Sequence, residues 1–236
     1  MNSTKFQGLS IIIPTLNEGK RIGRTLRSLV PLRERGAEIV VVDGGSSDCT
    51  QEVAVPLADL VMGARRGRAR QMNAGTTASK GHLLLFLHAD TELSEEAMLA
   101  LQSVLENETV IWGRFDVRIG DGHSLLRIVA EMMNLRSRLT GIATGDQAIF
   151  VRRPALEDIG GFPDIPIMED IAVSRRLKSL ARPVCLGEKV TTSSRRWEKN
   201  GIVLTIALMW WLRLAYWAHV NPRTLARWYG VNIDAS

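Results

Sequence analysis

The stretch GHLLLFLHADTEL, residues 81–93, carries five consecutive apolar residues, Leu83 to Leu87, and then stops on His88, Ala89 and Asp90. A short unbroken apolar run reads as a strand buried on both faces, as in the interior of a parallel sheet. His88 and Asp90 stand at i and i+2, so in extended chain both side chains point the same way. A carboxylate at that place is a natural ligand for a hard divalent cation bridging two phosphates. A structural role competes with this one, in which Asp90 caps a helix starting near Ser94.

Working outward, LSIII (9–13), EIVVVD (38–43) and ADLVM (58–62) are further short runs rich in Val, Ile and Leu, and read as strands. Segments 18–30, 48–55, 68–78 and 94–106 have helical spacing of apolar residues, with Ser46, Ser47 and Ser94 placed as N-caps. The alternation predicts an α/β fold: a mostly parallel sheet with helices on both faces, whose ligands bind beyond the carboxyl ends of the strands. Three loops fall there, PTLNE (14–18), GGSSDCT (44–50) and HADTE (88–92). Asp43 closes the second strand before Gly44, Gly45, Ser46 and Ser47, where small residues let a ligand approach the backbone and the carboxylate can accept from a base or ribose. Asp-Gly followed by serines is equally an ordinary strand-to-helix turn.

At 236 residues, 45% hydrophobic and 23% charged, the chain has the composition of a folded globular protein and not of a disordered one. Cys49 and Cys185 lie far apart with no C-x-x-C partner, which argues against a disulfide framework or zinc knuckle and for a reducing compartment. The N-terminal MNSTKFQGLSIIIPTLNE has too short an apolar run for a secretory signal, so a cytoplasmic location is expected. The net charge is +5, and from Arg195 onward six basic residues face two acidic ones, so +4 of it sits at the C-terminus. The other basic cluster, ARRGRAR (64–70), lies beside glycines and suits a phosphate as well as a nucleic acid.

Taken together, SIIIPTLNEGKRIGRTLRSL, EIVVVDGGSSDCT, ARQMNAG, LLLFLHADTEL and GGFPDIPIMEDIAVSRRLK occur in the order found in family 2 glycosyltransferases, and the chain resembles that family over residues 9–178. The resemblance implies a GT-A (Rossmann-like) catalytic domain over residues 1–194, with a nucleotide-binding half to about 107 and an acceptor half beyond it. It implies an inverting transfer of one sugar from a nucleotide-diphosphate sugar, UDP-linked by preference, to a small or lipid-associated acceptor, with a divalent metal (Mn or Mg) and no nucleic-acid partner. Pro14, Thr15, Asn17, Glu18 and Asp43 would face base and ribose, and Arg70 and Asn73 the nucleotide and diphosphate. HAD stands where the family carries Asp-x-Asp, so Asp90 would hold the metal and His88 would take a ribose or neighbouring role. Asp146 and Gln147 of ATGDQAIFV would lie near the sugar. Glu169 and Asp170 are adjacent and cannot share a helical face, and the resemblance makes Asp170 the base. Without it, two acids at a helix N-terminus would simply favour the macrodipole.

Processive members of the family carry Gln-x-x-Arg-Trp, whereas SSRRW keeps Arg196 and Trp197 and has Ser193 in place of the Gln, which disfavours polymer synthesis. Arg196 and Trp197 are expected to border the acceptor. A polyprenyl-phosphate glycosyltransferase is the alternative within the family; a sugar nucleotidylyltransferase or an inactive nucleotide-binding protein are the alternatives outside it. The extension 195–236 holds five of the six tryptophans counting Trp197, and IVLTIALMWWLRLAYWAHV (202–220) is long enough to span a bilayer but carries Arg213. Placed on a helix, Thr205, Arg213, Tyr216 and His219 form a narrow stripe opposite Val203, Ile206, Trp210, Leu214 and Trp217. This amphipathic pattern is expected to lie on the membrane surface, with packing on the core or in a homodimer as the competing use.

Overall fold

The computed structural model describes residues 6–120 and 123–230, and of Arg196 and Asn200 the backbone alone. Its centre is one eight-stranded sheet. β1 (Leu9–Thr15), β2 (Glu38–Asp43), β3 (Leu60–Gly63) and β4 (Leu83–Phe86) form a parallel block in the order β3-β2-β1-β4. Every residue of β1 and β4 is buried, and the two-residue period divides their side chains between two layers. Ile11, Ile13 and Leu85 pack with Leu26 and Leu29 of α1 (Ile22–Glu34) and Leu101 of α4 (Glu95–Glu106). Ile12, Leu84 and Phe86 pack with Met72 of α3 (Arg68–Ala78) and Val173 and Leu177 of α7 (Glu169–Leu180) on the other face. Burial on both sides is why these strands read as unbroken apolar runs. The chain leaves β1 toward β2 and β3 and returns on its other side as β4, so a switch-point crevice opens beyond the ends of β1 and β4.

Past β4 the sheet is mixed. β7 (Ile149–Arg152) runs antiparallel to β4, β6 (Trp112–Ile119) antiparallel to β7, β8 (Val184–Thr192) parallel to β6, and β5 (Thr91–Leu93) antiparallel to β8. The parallel arrangement expected from the alternating pattern therefore holds for the first four strands. β5 pairs with a strand nearly a hundred residues away, which fixes the HAD loop between the two halves of the sheet.

Several local expectations change. The first helix begins at Ile22 and continues through Pro31 to Glu34. One missing N–H is tolerated because Leu32, buried against the sheet, anchors the last turn. Ser94 caps α4 by accepting from the Ala97 N–H at 3.2 Å, so Asp90 is not that helix's cap. Ser46 and Ser47 do not cap α2 (Thr50–Ala54), whose N-cap is Cys49. α5 (Ser124–Thr140), in a stretch without a family motif, packs Leu126 and Ala130 on the α1 side of the sheet and ends on left-handed Gly141. α6 (Arg153–Asp158) follows β7.

The tail forms α8 (Arg195–Asn200), α9 (Ile202–Trp217) and α10 (Pro222–Trp228); residues 231–236 lie outside those described. α9 is not an amphipathic helix with its polar side in water. Thr205 is buried and Arg213 lines a cavity, while Leu212 and Ala215 pack with Met168 and Ile171 of the α7 entry and with Leu225 of α10. Apolar residues therefore occur on both sides, and Val203, Leu204, Trp210, Trp211, Leu214 and Trp217 face outward. None of the helices among the described residues is long and apolar enough to cross a membrane.

Candidate active site

The crevice beyond β1 and β4 widens into a cavity of about 1180 Å³, above the roughly 300–1,000 Å³ usual for one small ligand. One wall is built by Pro14, Thr15 and Glu18 after β1, by Arg68 and Arg70 at the start of α3, and by His88 and Asp90. The facing wall is built by Asp146, Glu169 and Trp197, with Arg136 of α5 and Arg213 of α9.

The two walls meet at a tight joint. The Gly145 N–H donates to Asp170 Oδ2 at 3.0 Å, and His88 Nδ1 lies 3.2 Å from Asp146 Oδ1. A Cβ at Gly145 would stand 2.5 Å from His88 Nε2, so only glycine lets the 3-10 turn Gly145–Gln147 close on the imidazole. Thr25 of α1 holds the loop from below by donating to the Ala89 carbonyl at 2.8 Å.

Several residues singled out in the sequence serve the loops themselves. Asp43 is 1% exposed and accepts from the N–H groups of Gly45 and Ser46, from Gln51 Nε2 and from the Ser46 hydroxyl. Burial alone would raise its pKa, but these donors outweigh burial and hold it below the usual carboxylate value. It lies beneath the cavity and outside its wall. Asn17, at φ 55°, accepts from the Ser47 N–H at 2.9 Å; Asn73 clasps the Phe162 backbone through both ends of its amide; buried Gln147 closes a capping box with Thr144. None of the three lines the cavity. Arg70 does line it, with Nε 2.8 Å from Asp164 Oδ1. Trp197 lines it as expected, whereas the side chain of Arg196 lies outside the described residues.

Other polar groups are less committed. Glu18 Oε1 accepts from Arg195 of α8 at 2.9 Å, tying the tail over the first loop, while Oε2 is buried without a hydrogen-bond donor among the described residues. Asp90 takes part in none of the described hydrogen bonds or ion pairs and faces the cavity. No group of three or more His, Cys, Asp or Glu among the described residues is arranged to enclose a metal. One open carboxylate fits a magnesium- or manganese-type ion, which takes one or two protein carboxylates and completes its shell with substrate phosphates and water.

Glu169 and Asp170 both reach the joint. Glu169 is 6% exposed and lines the main cavity, while Asp170 lines a small cleft beside it with His88 and Gly145. Burial first, and Asp170 second, push the Glu169 carboxyl from 4.5 up to about 7, against the opposing pull of Arg68. Sequence reasoning passed over Arg136 and Arg195: the first sits on a helix that no motif marks, the second beside the SSRRW residues that drew attention.

Residues 10–160 match the family model "Glycosyl transferase family 2". The chain belongs to that family, and it is an enzyme. Over 194 residues the glycosyltransferase is 25% identical to the poly-beta-1,6-N-acetyl-D-glucosamine synthase of Staphylococcus epidermidis, covering 72% of this chain and 46% of the relative. The chain thus spans about half the length of the curated relatives it matches. Among solved structures it resembles S. aureus TarS 1-349 (TM-score 0.65, 22% identity, 80% of this chain and 61% of the other). It also resembles the mannosyltransferase PcManGT from Pyrobaculum calidifontis, solved with GDP-Man and Mn2+ (TM-score 0.59, 23% identity, 80% and 57%). These likenesses show a GT-A fold.

The raised pKa of Glu169 has a defined linkage sign. Between about 4.5 and about 7 the folded state binds a proton that the unfolded state has released, so this residue's contribution to stability is complete below 4.5 and lost as pH rises through 7. Scanning calorimetry should show the melting temperature of the native protein falling between about pH 5 and about pH 8, and Glu169→Gln should flatten that fall. Parallel melting curves for the two proteins across that range would show that Glu169 is ionised throughout.

Proposed function

We propose that the enzyme moves one sugar, with inversion, from a nucleotide-diphosphate sugar to a lipid-associated acceptor. The observation that carries this reading is an open carboxylate, Asp90, on the wall of the parallel block, with Glu169 on the facing wall of the same cavity and Asp170 in the small cleft beside it. In the proposed arrangement the base and ribose lie over Pro14 and Thr15, with the buried Oε2 of Glu18 accepting a base N–H. Arg68 and Arg70 stand beside the diphosphate. Asp90 would hold the divalent metal, which when bound supplies positive charge to the departing diphosphate. TarS has been solved with UDP-GlcNAc and PcManGT with GDP-Man, and UDP is the nucleotide we favour, following the sequence resemblance.

Asp170 is the proposed base. The Gly145 N–H donates to Oδ2 at 3.0 Å and the Ile171 N–H to Oδ1 at 2.7 Å, so the carboxylate keeps one orientation, and a remaining lone pair would receive the hydroxyl proton. Glu169, buried and close to neutral in its titration, shares the proton economy of the pair and keeps two full negative charges from accumulating side by side. Trp197 closes the acceptor side as an aromatic wall, and Ser193 in place of the processive Gln supports a single transfer. The division into a catalytic domain, 1–194, and a helical extension, 195–236, falls between β8 and α8.

Two substitutions separate the proposed roles. Asp90→Ala should abolish the manganese-dependent part of UDP binding in a calorimetric titration, and Asp170→Asn should leave that binding unchanged while lowering turnover about 10²–10⁴-fold. Undiminished UDP affinity in the first variant would remove Asp90 from the metal site. Near-normal turnover in the second, with loss in Glu169→Gln, would transfer the base to Glu169.

The surface around the cavity mouth supports the lipid-associated acceptor. Leu125, Ile128, Met132, Leu135 and Leu139 form an exposed stripe along α5, spaced three and four residues apart on one helical face. Ile128, Met132 and Trp210 are exposed and also line the cavity, so the α5 and α9 faces meet at its rim. Contiguous apolar surface with tryptophans and nearby arginines is the makeup of an interfacial membrane contact. The intact protein should sediment with anionic liposomes, and Trp211→Ser with Trp217→Ser should weaken this at low and high salt alike, because the lost contribution is apolar area. Failure to bind liposomes, joined to a dimer that these substitutions dissolve, would assign the face to a protein interface instead.

A further inference from the structure

The cavity is lined by an arginine, Arg136, two of whose buried nitrogens find no hydrogen-bond partner among the described residues. Arg114, on β6, shows how a buried guanidinium is normally satisfied in this fold: Nε donates to the Ser137 hydroxyl at 3.0 Å, Nη1 to Asp116, and Nη2 to the Asn134 carbonyl at 3.1 Å. Arg136 is the contrary case. Its Nε and Nη2 are shielded from solvent and have no hydrogen-bond partner among the described residues. The largest influences on it are burial and then Arg213, a like charge, which outweigh the attraction of Asp170 and lower its pKa to about 10; it stays a cation at neutral pH. Buried polar groups in native proteins are paired, and an unpaired buried charge is among the costliest defects a fold can carry. Arg136, with these donors unspent, lines the same space as Arg213, and two guanidiniums facing one space form a fork matched to an oxyanion.

The position of the pair says which substrate the anion belongs to. Asp170 faces both Arg136 and Arg213. In an inverting displacement the nucleophile and the leaving diphosphate lie on opposite sides of the anomeric carbon, so cations beside the base serve the acceptor. The same two helices also carry the apolar rim: along α5 the cavity residues run Ile128, Met132, Arg136, and along α9 Ile206, Met209, Arg213. Each face turns from apolar to cationic within two helical turns.

We propose that the acceptor is an amphiphile bearing an oxyanion, that Arg136 and Arg213 anchor this oxyanion beside Asp170, and that its apolar part lies between α5 and α9. The inference rests on the glycosyltransferase reading of the cavity and narrows its acceptor. The shared chemistry is that of a phosphate monoester, whether carried on a lipid chain or on a free metabolite: one phosphate oxygen forms the bond to the anomeric carbon as the bond from that carbon to the leaving diphosphate breaks, any proton on that oxygen passing to Asp170, while the arginines hold the other oxygens.

Binding of farnesyl phosphate, farnesol and inorganic phosphate to the full chain, followed by calorimetric titration in the presence of UDP, tests it. Farnesyl phosphate should bind at least tenfold more tightly than either of the others, and Arg136→Gln and Arg213→Gln should each lose about tenfold or more of that affinity while UDP affinity stays within about twofold. In the absence of ligand, Arg136→Gln should melt at or above the temperature of the native protein, because an unpaired buried charge has been removed. A structural arginine would give the opposite shift. Equal affinity for farnesol removes the anion from the proposal, and equal affinity for inorganic phosphate removes the apolar half. A fall in UDP affinity in the two variants assigns the arginines to the donor diphosphate and overturns the inference. Absence of UDP binding to the native protein counts against the donor site instead and leaves the farnesyl phosphate comparison standing on its own.

Discussion

The contact of Gly145 with Asp170 and with the His88 ring ties the site together. His88 belongs to the loop that follows the parallel block, Gly145 to the turn that enters β7, and Asp170 to the first turn of α7. One N–H and one missing Cβ bring these three segments into van der Waals contact. Because β7 is antiparallel to β4, the chain reaches β4's C-terminal end just as it enters β7, and the turn before it is delivered to the HAD loop. Asp90 and the Glu169–Asp170 pair then have fixed places on facing walls. A side chain at position 145 would push the walls apart.

A division of labour among polar groups follows from that geometry. Asp43, Asn17, Asn73 and Gln147 spend their hydrogen-bonding capacity on backbone groups and neighbouring side chains, which keeps loops without regular structure in one conformation. Glu18 Oε2, Asp90 and Arg136 keep capacity unspent, and all three residues line the cavity. Glu169, forced toward neutrality by burial, belongs with them. A fold that satisfies its turns so thoroughly and leaves its unsatisfied groups in one cavity has placed its destabilising features where ligands relieve them.

The inner strands of the parallel block were legible because double burial writes a continuous apolar run into each, and LLLFL and EIVVVD could hardly be anything else; β3, at the sheet edge, is only half-buried. β8 and β5 were not legible, since VCLGEKVTT mixes polar and apolar residues without a two-residue period, TEL is only three residues long, and their partners are distant in sequence. Position in a loop picked out Asp90, His88 and Glu18, which line the cavity, as does Trp197. It did not distinguish a carboxylate aimed at a ligand from one folded back on its own turn, because Asp43 and Asp90 both end buried strands and differ only in how many N–H groups curl toward them. The outward turn of the α9 tryptophans followed from helical spacing. The burial of its polar stripe did not, since that depends on the α7 entry and α10 packing against the same helix.

Hydrogen exchange with and without UDP and manganese tests most directly whether the donor sits at the switch point between β1 and β4. Backbone amides of residues 15–19, 44–47 and 88–91 are expected to exchange several-fold more slowly with the ligands present, while those of α4 and α6, remote from the cavity, keep their rates. Protection confined to α9 and α10, with the loops after β1 and β4 unchanged, would place the nucleotide elsewhere and contradict the account.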